Sequence, residues 1–308
     1  MTFRRPKPLV PLGAGLLIER PLTALARLGV GRVGVNAHHL ADQVAPGLAH
    51  RPEVVAVVHE PELEGTGGGI RGIAAALGGQ GTLVAANGDA LFDFPLAPIL
   101  AAHRALGALG TLALRRVPPG SPFARVGVDR DGRVHRIAEV IGPQAHRHDL
   151  TLGAFTGVQC MEPALVDRLP AAGECDVLRT AWRDGLAEGA PLFGVWVDPP
   201  DACWLDVGTP ERYLDAHRAL LDGRLDPGAV PPADGAGRHI AADAQVEGQV
   251  LGPAVVLPGA RVAAGATVGP FTWIGAGARV APGVTLAGCV VWPGVEVTAS
   301  ARDAVLTG

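Results

Sequence analysis

From Val250 onward an aliphatic residue returns at every sixth position: Val250, Val256, Val262, Val268, Ile274, Val280 and Leu286. Four positions after each stands a small or β-branched residue: Ala254, Ala260, Ala266, Thr272, Ala278, Val284 and Val290. No helical pattern runs through this region, and a flat sandwich would carry turn signals every 8–12 residues or so instead. A hexapeptide period marks a parallel β-helix, a solenoid in which each hexad forms one short face and sends its aliphatic residue into the coil. Residues 240–308 are therefore expected to form a short left-handed parallel β-helix of hexapeptide repeats.

The region before it reads differently. Strand-like runs at Gly31–Asn36, Glu53–Val58, Leu83–Ala86 and Thr111–Leu114 alternate with helical patterns at 38–48, 69–77 and 96–106, the second of them following a glycine-rich loop. Ile18, Leu22, Leu25 and Leu28 give an earlier helix near Pro21. Strands separated by helices of this length imply parallel βαβ units with right-handed crossovers. Asp129-Arg-Asp-Gly132 is then a hairpin signal between Phe123–Val128 and Arg133–Ile137. Further strands are expected from Gly153 toward Cys160, at Phe193–Val197 and at Cys203–Val207, with helices at 162–165 and 177–186. Thr209-Pro210-Glu211 reads as an N-cap, a proline at N1 and an acidic first turn of a helix ending near Leu221. The fold class expected is α/β: a Rossmann-like, mostly parallel sheet over residues 1–222, a Pro/Gly-rich linker over 223–239, and the β-helix.

Leu83-Val-Ala-Ala86 is a short apolar run that reads as a buried strand. Asn87-Gly88 ends it, and Asp89 stands just beyond its carboxyl end, where open α/β sheets bind ligands. A carboxylate there suits a divalent metal beside phosphates, although Asn-Gly-Asp is also ordinary turn chemistry.

Composition narrows the possibilities. Hydrophobic residues make up 48% of the 308 and charged residues 18%, enough for a large core. The net charge of −4 gives no electrostatic case for nucleic acid or for an anionic membrane. The longest apolar runs, such as Leu9–Ile18, are short and broken by Pro and Gly, so no transmembrane helix is expected. Met1-Thr-Phe-Arg-Arg-Pro-Lys-Pro has no apolar signal core, which points to the cytoplasm. Cys160, Cys175, Cys203 and Cys289 form no CxxC pair and read as buried thiols. His38, His39, His146 and His148 read as solvated.

Five motifs occur in order: Arg5-Pro-Lys-Pro-Leu-Val-Pro11, Glu64-Gly-Thr-Gly-Gly-Gly-Ile70, Asn87-Gly-Asp89, Phe155-Thr-Gly157 and Trp204-Leu-Asp-Val-Gly-Thr-Pro210. With the hexapeptide tail, this set resembles the sugar-1-phosphate nucleotidyltransferases, in particular mannose-1-phosphate guanylyltransferases and N-acetylmuramate-1-phosphate uridylyltransferases. The resemblance implies in-line attack of a sugar 1-phosphate oxygen on the α-phosphate of a nucleoside triphosphate, with mannose 1-phosphate and GTP as the leading pair. Such a step depends on positioning and charge neutralisation. It implies that Asp89 and Asp206 hold Mg²⁺, an ion that prefers oxygen ligands and shares phosphates. Taken alone, Asp206 reads equally as a helix-proximal cap. Lys7 matches the family lysine that contacts phosphates, as a mobile point charge; outside the motif it would be an exposed terminal lysine. Thr66, Gly67 and Gly68, with Asn87 and Gly88, match the nucleotide-binding positions, the glycines permitting close backbone approach. Phe155, Thr156 and Gly157 match the sugar-binding strand, which reads equally as a plain core strand. The implied partners are a nucleoside triphosphate, a sugar 1-phosphate and further copies of the chain in a homo-oligomer built through the β-helix.

Three departures from the family pattern stand out. The family opens with a strand and a glycine-rich loop carrying an arginine, and the motif of Lys7 comes only a few residues after Met1, so an N-terminally truncated domain is expected. Ala124 follows Phe123 where the family has glycine, and Glu139-Val140 stands near the place of a Glu-Lys-Pro sugar-phosphate motif. The alternative implied by these departures is a non-catalytic relative that binds a nucleotide sugar and regulates or scaffolds a partner. An acyltransferase using the β-helix is disfavoured, because His239 at the edge is the sole histidine of the repeat region.

Overall fold

The computed structural model of the chain describes residues 2–118, 120–121, 123–147, 149–199 and 202–308. They divide into two compact units, Pro21–Trp204 and a unit that joins Met1–Arg20 to Leu205–Gly308.

The first unit is built on apolar, β-branched strands. In chain order they are β1 (Val33–Ala37), β2 (Val54–His59), β3 (Leu83–Ala86), β4 (Gly110–Arg115), β5 (Ala124–Val128), β6 (Val134–Ile137), β7 (Thr151–Met161) and β8 (Leu192–Trp196). Helices α1 (Gly65–Ala76) and α2 (Ala97–Ala105) connect strands as the alternation implied. The main sheet runs Val140–Ile141, β6, β5, β7, β4, β8, with β3 also on β7. Its centre is β7, which pairs antiparallel with β3, β4 and β5, whereas β4 and β8 are parallel. The α/β class is as expected, but this sheet carries more antiparallel pairing than a mostly parallel one. At 11 residues, β7 is long enough for successive stretches to meet β5 and then β3, both antiparallel. β1 and β2 form a separate parallel pair. Leu112, Leu114, Val128, Met161, Leu165 and Trp182 fill the core beside the sheet.

Asp129 makes the expected hairpin between β5 and β6, accepting the N–H groups of Asp131 at 3.0 Å and Arg133 at 2.9 Å. The expected helix at 38–48 is only a 3₁₀ turn, Ala41–Gln43, and one helical turn, Val44–Gly47. Pro46 lacks the N–H of a helix interior, which keeps this stretch short.

In the second unit the hexad reading holds. Strands from 238 to 306 stack in parallel into three sheets, and Val256, Val262, Val268, Ile274, Val280 and Leu286 are all buried in the coil. Val256 pairs with Ile274, eighteen residues on (274 − 256). Ile274 pairs with Val291, seventeen on (291 − 274). One residue is lost from that coil, so the inward positions beyond Leu286 become Cys289 and Val291 and the expected Val290 leaves the inner row. The turns need a left-handed residue, supplied for example by Gly259 at φ 68°. Helix α3 (Pro210–Leu221) begins as the sequence implied, with the Thr209 hydroxyl accepting the N–H of Arg212 at 3.3 Å.

Candidate active site

At the end of β3 the chain turns through Asn87, whose N–H donates to the Gly157 carbonyl at 3.0 Å. Gly157 has φ 87°, and a Cβ on it would stand 2.9 Å from Asn87 Cγ. Two expected site residues, from the nucleotide and the sugar motifs, are thus in contact, and the glycine is what admits the asparagine. The irregular pairing of β7 with β4 between Phe155 and Gln159 is centred on this glycine. Gly88 and Asp89 follow in the same turn, half-buried.

Thr156 is committed to the sheet. Its hydroxyl donates to the Ala113 carbonyl at 3.0 Å, and it is 1% exposed. Its carbonyl accepts the Trp204 indole N–H at 2.8 Å. Phe155 is half-buried and packs against the core. The indole of Trp204 meets the exposed Phe123 ring edge-on at 6.2 Å between centroids. Neither ring is among the expected site residues, although the tryptophan that opens Trp204-Leu-Asp-Val-Gly stands in one of the motifs.

The glycine-rich segment is helical, which corrects the expected loop: α1 begins at Gly65, so Thr66, Gly67 and Gly68 lie in its first turns. Each glycine faces protein atoms. The Gly67 N–H donates to the Cys175 carbonyl at 2.8 Å, and a Cβ on Gly67 would stand 2.6 Å from the Cys175 sulfur. A Cβ on Gly68 would run into the Glu64 side chain, and one on Gly69 would stand 2.7 Å from Asn36 Nδ2. The Thr66 hydroxyl accepts the Val177 N–H at 3.0 Å. Glu60, 3% exposed, holds the approach to the helix: it accepts from Asn36 Nδ2 at 2.9 Å and from the Glu64 N–H at 3.2 Å. His38, exposed as expected, donates from Nδ1 to the Glu60 carbonyl at 2.8 Å. His39 and His146 are exposed too, and His148 lies outside the described residues.

Lys7 and Asp206 belong to the other unit. Lys7 opens a 3₁₀ turn, Lys7–Leu9, whose Val10 N–H donates to the Lys7 carbonyl at 3.2 Å. Asp206 ends the strand Trp204–Asp206 and forms an ion pair with Arg212 in the first turn of α3. The helix is capped by Thr209, so a capping role for Asp206 is excluded. Its carboxylate stays part-exposed next to Gly208, whose absent Cβ would stand 3.4 Å from Oδ1. Among the described residues no group of three or more His, Cys, Asp or Glu side chains is arranged to hold a metal. Asp89 and Asp206 each offer carboxylate oxygens, the donor type taken by Mg²⁺, which keeps waters and phosphate oxygens in its shell.

Cys160, Cys175 and Cys289 are buried free thiols and Cys203 is half-buried. Burial pushes the Cys160 thiol up to about 12, which makes it inert. No described helix is long and apolar enough to cross a membrane.

The sequence matches the nucleotidyl transferase family over residues 1–223. It is 29% identical to the mannose-1-phosphate guanylyltransferase of Mycobacterium tuberculosis, over 97% of this chain and 77% of that protein. It is 25% identical to the UTP–glucose-1-phosphate uridylyltransferase of Synechocystis, over 100% of this chain and 89% of that protein. Among solved structures it resembles HddC from Yersinia pseudotuberculosis, with a TM-score of 0.52 and 18% identity over 68% of this chain and 88% of that one, a likeness of fold alone. The chain therefore belongs to the nucleotidyl transferase family, carrying a β-helix after its α/β part.

Proposed function

We propose that the chain transfers a nucleotidyl group from a nucleoside triphosphate to a sugar 1-phosphate, with GTP and mannose 1-phosphate as the preferred pair. The observation that carries this reading is the alignment with a mannose-1-phosphate guanylyltransferase across 97% of the chain, taken with family membership over 1–223. In the reaction an oxygen of the sugar phosphate forms a bond to the α-phosphorus. The bond from that phosphorus to the bridging oxygen breaks, and pyrophosphate leaves with the electron pair. No side chain need take up a proton, so the work is orientation and charge neutralisation.

In this reading Lys7 places a cation against the phosphates, and Asn87 and Gly88 line the nucleotide at the end of β3. Thr66, Gly67 and Gly68 act through the helix N-terminus they form, since their α-carbons are packed against protein. Phe155, Thr156 and Gly157 hold the sugar, Thr156 through its backbone because its hydroxyl is bonded to Ala113. Asp89 and Asp206 would hold Mg²⁺, which when bound neutralises phosphate charge. Arg212 keeps one oxygen of Asp206 engaged. The domain limits 1–222, 223–239 and 240–308, a cytoplasmic location and self-association through the β-helix belong to the same proposal.

The test is pyrophosphate release with Mg²⁺, crossing mannose, glucose and N-acetylmuramate 1-phosphates with GTP, UTP, dTTP, CTP and ATP. Release with GTP and mannose 1-phosphate above all other pairs is expected. Nucleotide-sugar binding without release from any pair would replace the enzyme by the non-catalytic relative.

A further inference from the structure

The segment bearing Lys7 is built into the same unit as the β-helix, and specific side chains join them. Around Lys7 the backbone is locked twice: the Ile18 N–H donates to the Pro8 carbonyl and the Leu17 N–H to the Val10 carbonyl, both at 3.0 Å. Leu9, Val10, Leu12, Leu17 and Ile18 are buried, so the segment is a packed element. Its partners come from far along the chain. Tyr213 on α3 donates its hydroxyl to the Pro11 carbonyl. The Trp292 indole N–H, from the β-helix, donates to that same hydroxyl at 3.0 Å. His217, one turn after Tyr213, donates from Nδ1 to the Tyr213 carbonyl at 3.1 Å and accepts the Gly13 N–H on Nε2 at 3.4 Å. Trp273, also from the β-helix, packs edge-on against His217 at 5.4 Å. Gly13 sits at φ 62° with room for no Cβ, which would stand 2.8 Å from the Pro227 carbonyl oxygen. The Arg5 guanidinium lies over the Trp292 ring at 5.4 Å.

We propose that the β-helix is a positioning platform for nucleotidyl transfer: through Trp292 and Tyr213 it fixes the turn that presents Lys7, and these two are positioning residues. The inference rests on the reading of Lys7 as a phosphate contact. A buried hydroxyl that accepts one hydrogen bond and donates another has no slack, so losing it frees Pro11 and the turn four residues before it. A displacement on the order of 1 Å at a charged contact is enough to cost about 10²-fold in rate.

The experiment uses the full chain with Tyr213→Phe and Trp292→Phe, each alone and combined with Lys7→Ala. Amide hydrogen exchange over residues 8–18 reports the clamp. Pyrophosphate release at varied Mg·GTP and mannose 1-phosphate reports its consequence. Either clamp variant is expected to speed exchange in 8–18 while leaving 254–291 protected. It is also expected to lower kcat/KM for GTP about tenfold or more, and to have no further effect once Lys7 is alanine, because the clamp acts through that lysine. Unchanged exchange in both variants overturns the clamp. Multiplying effects in the double variants overturn the positioning role. Full activity of Lys7→Ala overturns instead the reading of Lys7, and no release by any form overturns the proposed reaction. If Tyr213→Phe does not fold, Trp292→Phe alone gives each outcome.

Discussion

His217 makes the second unit sensitive to mild acid, by an amount that follows from its surroundings. It is 2% exposed, enclosed by the Tyr213 and Trp273 rings, and both its nitrogens are used. The Tyr213 carbonyl can only accept, so Nδ1 carries the proton and Nε2 must stay bare to accept the Gly13 N–H. Burial lowers its pKa from the ordinary 6.5 to about 4, against the bond to Tyr213, which raises it. The folded protein thus keeps His217 neutral where the unfolded chain would protonate it. Stability from this source is complete above pH 6.5, falls as the pH drops, and is spent near pH 4. At 1.36 kcal/mol per pH unit the loss comes to about 3 kcal/mol. The assay is urea unfolding followed by tryptophan fluorescence, from pH 7.5 to 4, for the wild type and for His217→Gln. Glutamine does not titrate, and its carbonyl can take the Gly13 N–H. Carboxylates held below their ordinary range, such as Glu162 with its bonds from Thr82 and His103, act in both proteins and cancel in the difference. The wild type is expected to lose about 3 kcal/mol more than the variant across this range. Parallel profiles would refute the buried neutral histidine.

Val262→Asp puts an unpaired carboxylate into the coil, where Val262 is 1% exposed, and is expected to cost about 3–5 kcal/mol; an unchanged melting temperature would mean the hexad register is wrong. Gly67→Ala drives a methyl against the Cys175 sulfur at 2.6 Å, and a loss of about 1–3 kcal/mol in thermal unfolding is expected. Asp89→Ala and Asp206→Ala should each lower kcat by about 10²-fold or more with the far-ultraviolet spectrum intact, and wild-type turnover in either would remove that residue from the site. Gly157→Ala, at φ 87° and against Asn87, should raise KM for the sugar phosphate or the nucleotide before it unfolds the sheet; unchanged steady-state constants would detach Gly157 from binding.

What the sequence made legible is what repeats locally or punctuates locally. The inner row Val250–Leu286 could be read because one residue type returns at one spacing, and Thr209-Pro210 because a cap and its proline are adjacent. The glycines of α1 read as a loop because glycine is a poor helix former. Their helix is decided by contacts with Cys175 and Asn36, which no local pattern announces. The same limit hid the antiparallel pairing of β7, its break at Gly157, and the shortened coil after Leu286. Of the site, the motifs named Asn87 and Gly157 but not their contact, nor the engaged hydroxyl of Thr156 and the indole of Trp204 bonded to its carbonyl.

The tie between Tyr213 and Pro11 spans 202 residues, and Trp292 closes it later still. A unit sewn from both ends of a chain cannot fold in the order in which it is synthesised. Leu9, Val10, Leu12, Leu17 and Ile18 leave the ribosome long before Tyr213 and Trp292, whose hydrogen bonds tie their segment down. At about 5–20 residues per second that wait is on the order of tens of seconds. Throughout it this apolar segment lacks the two ties that fix it in the folded unit.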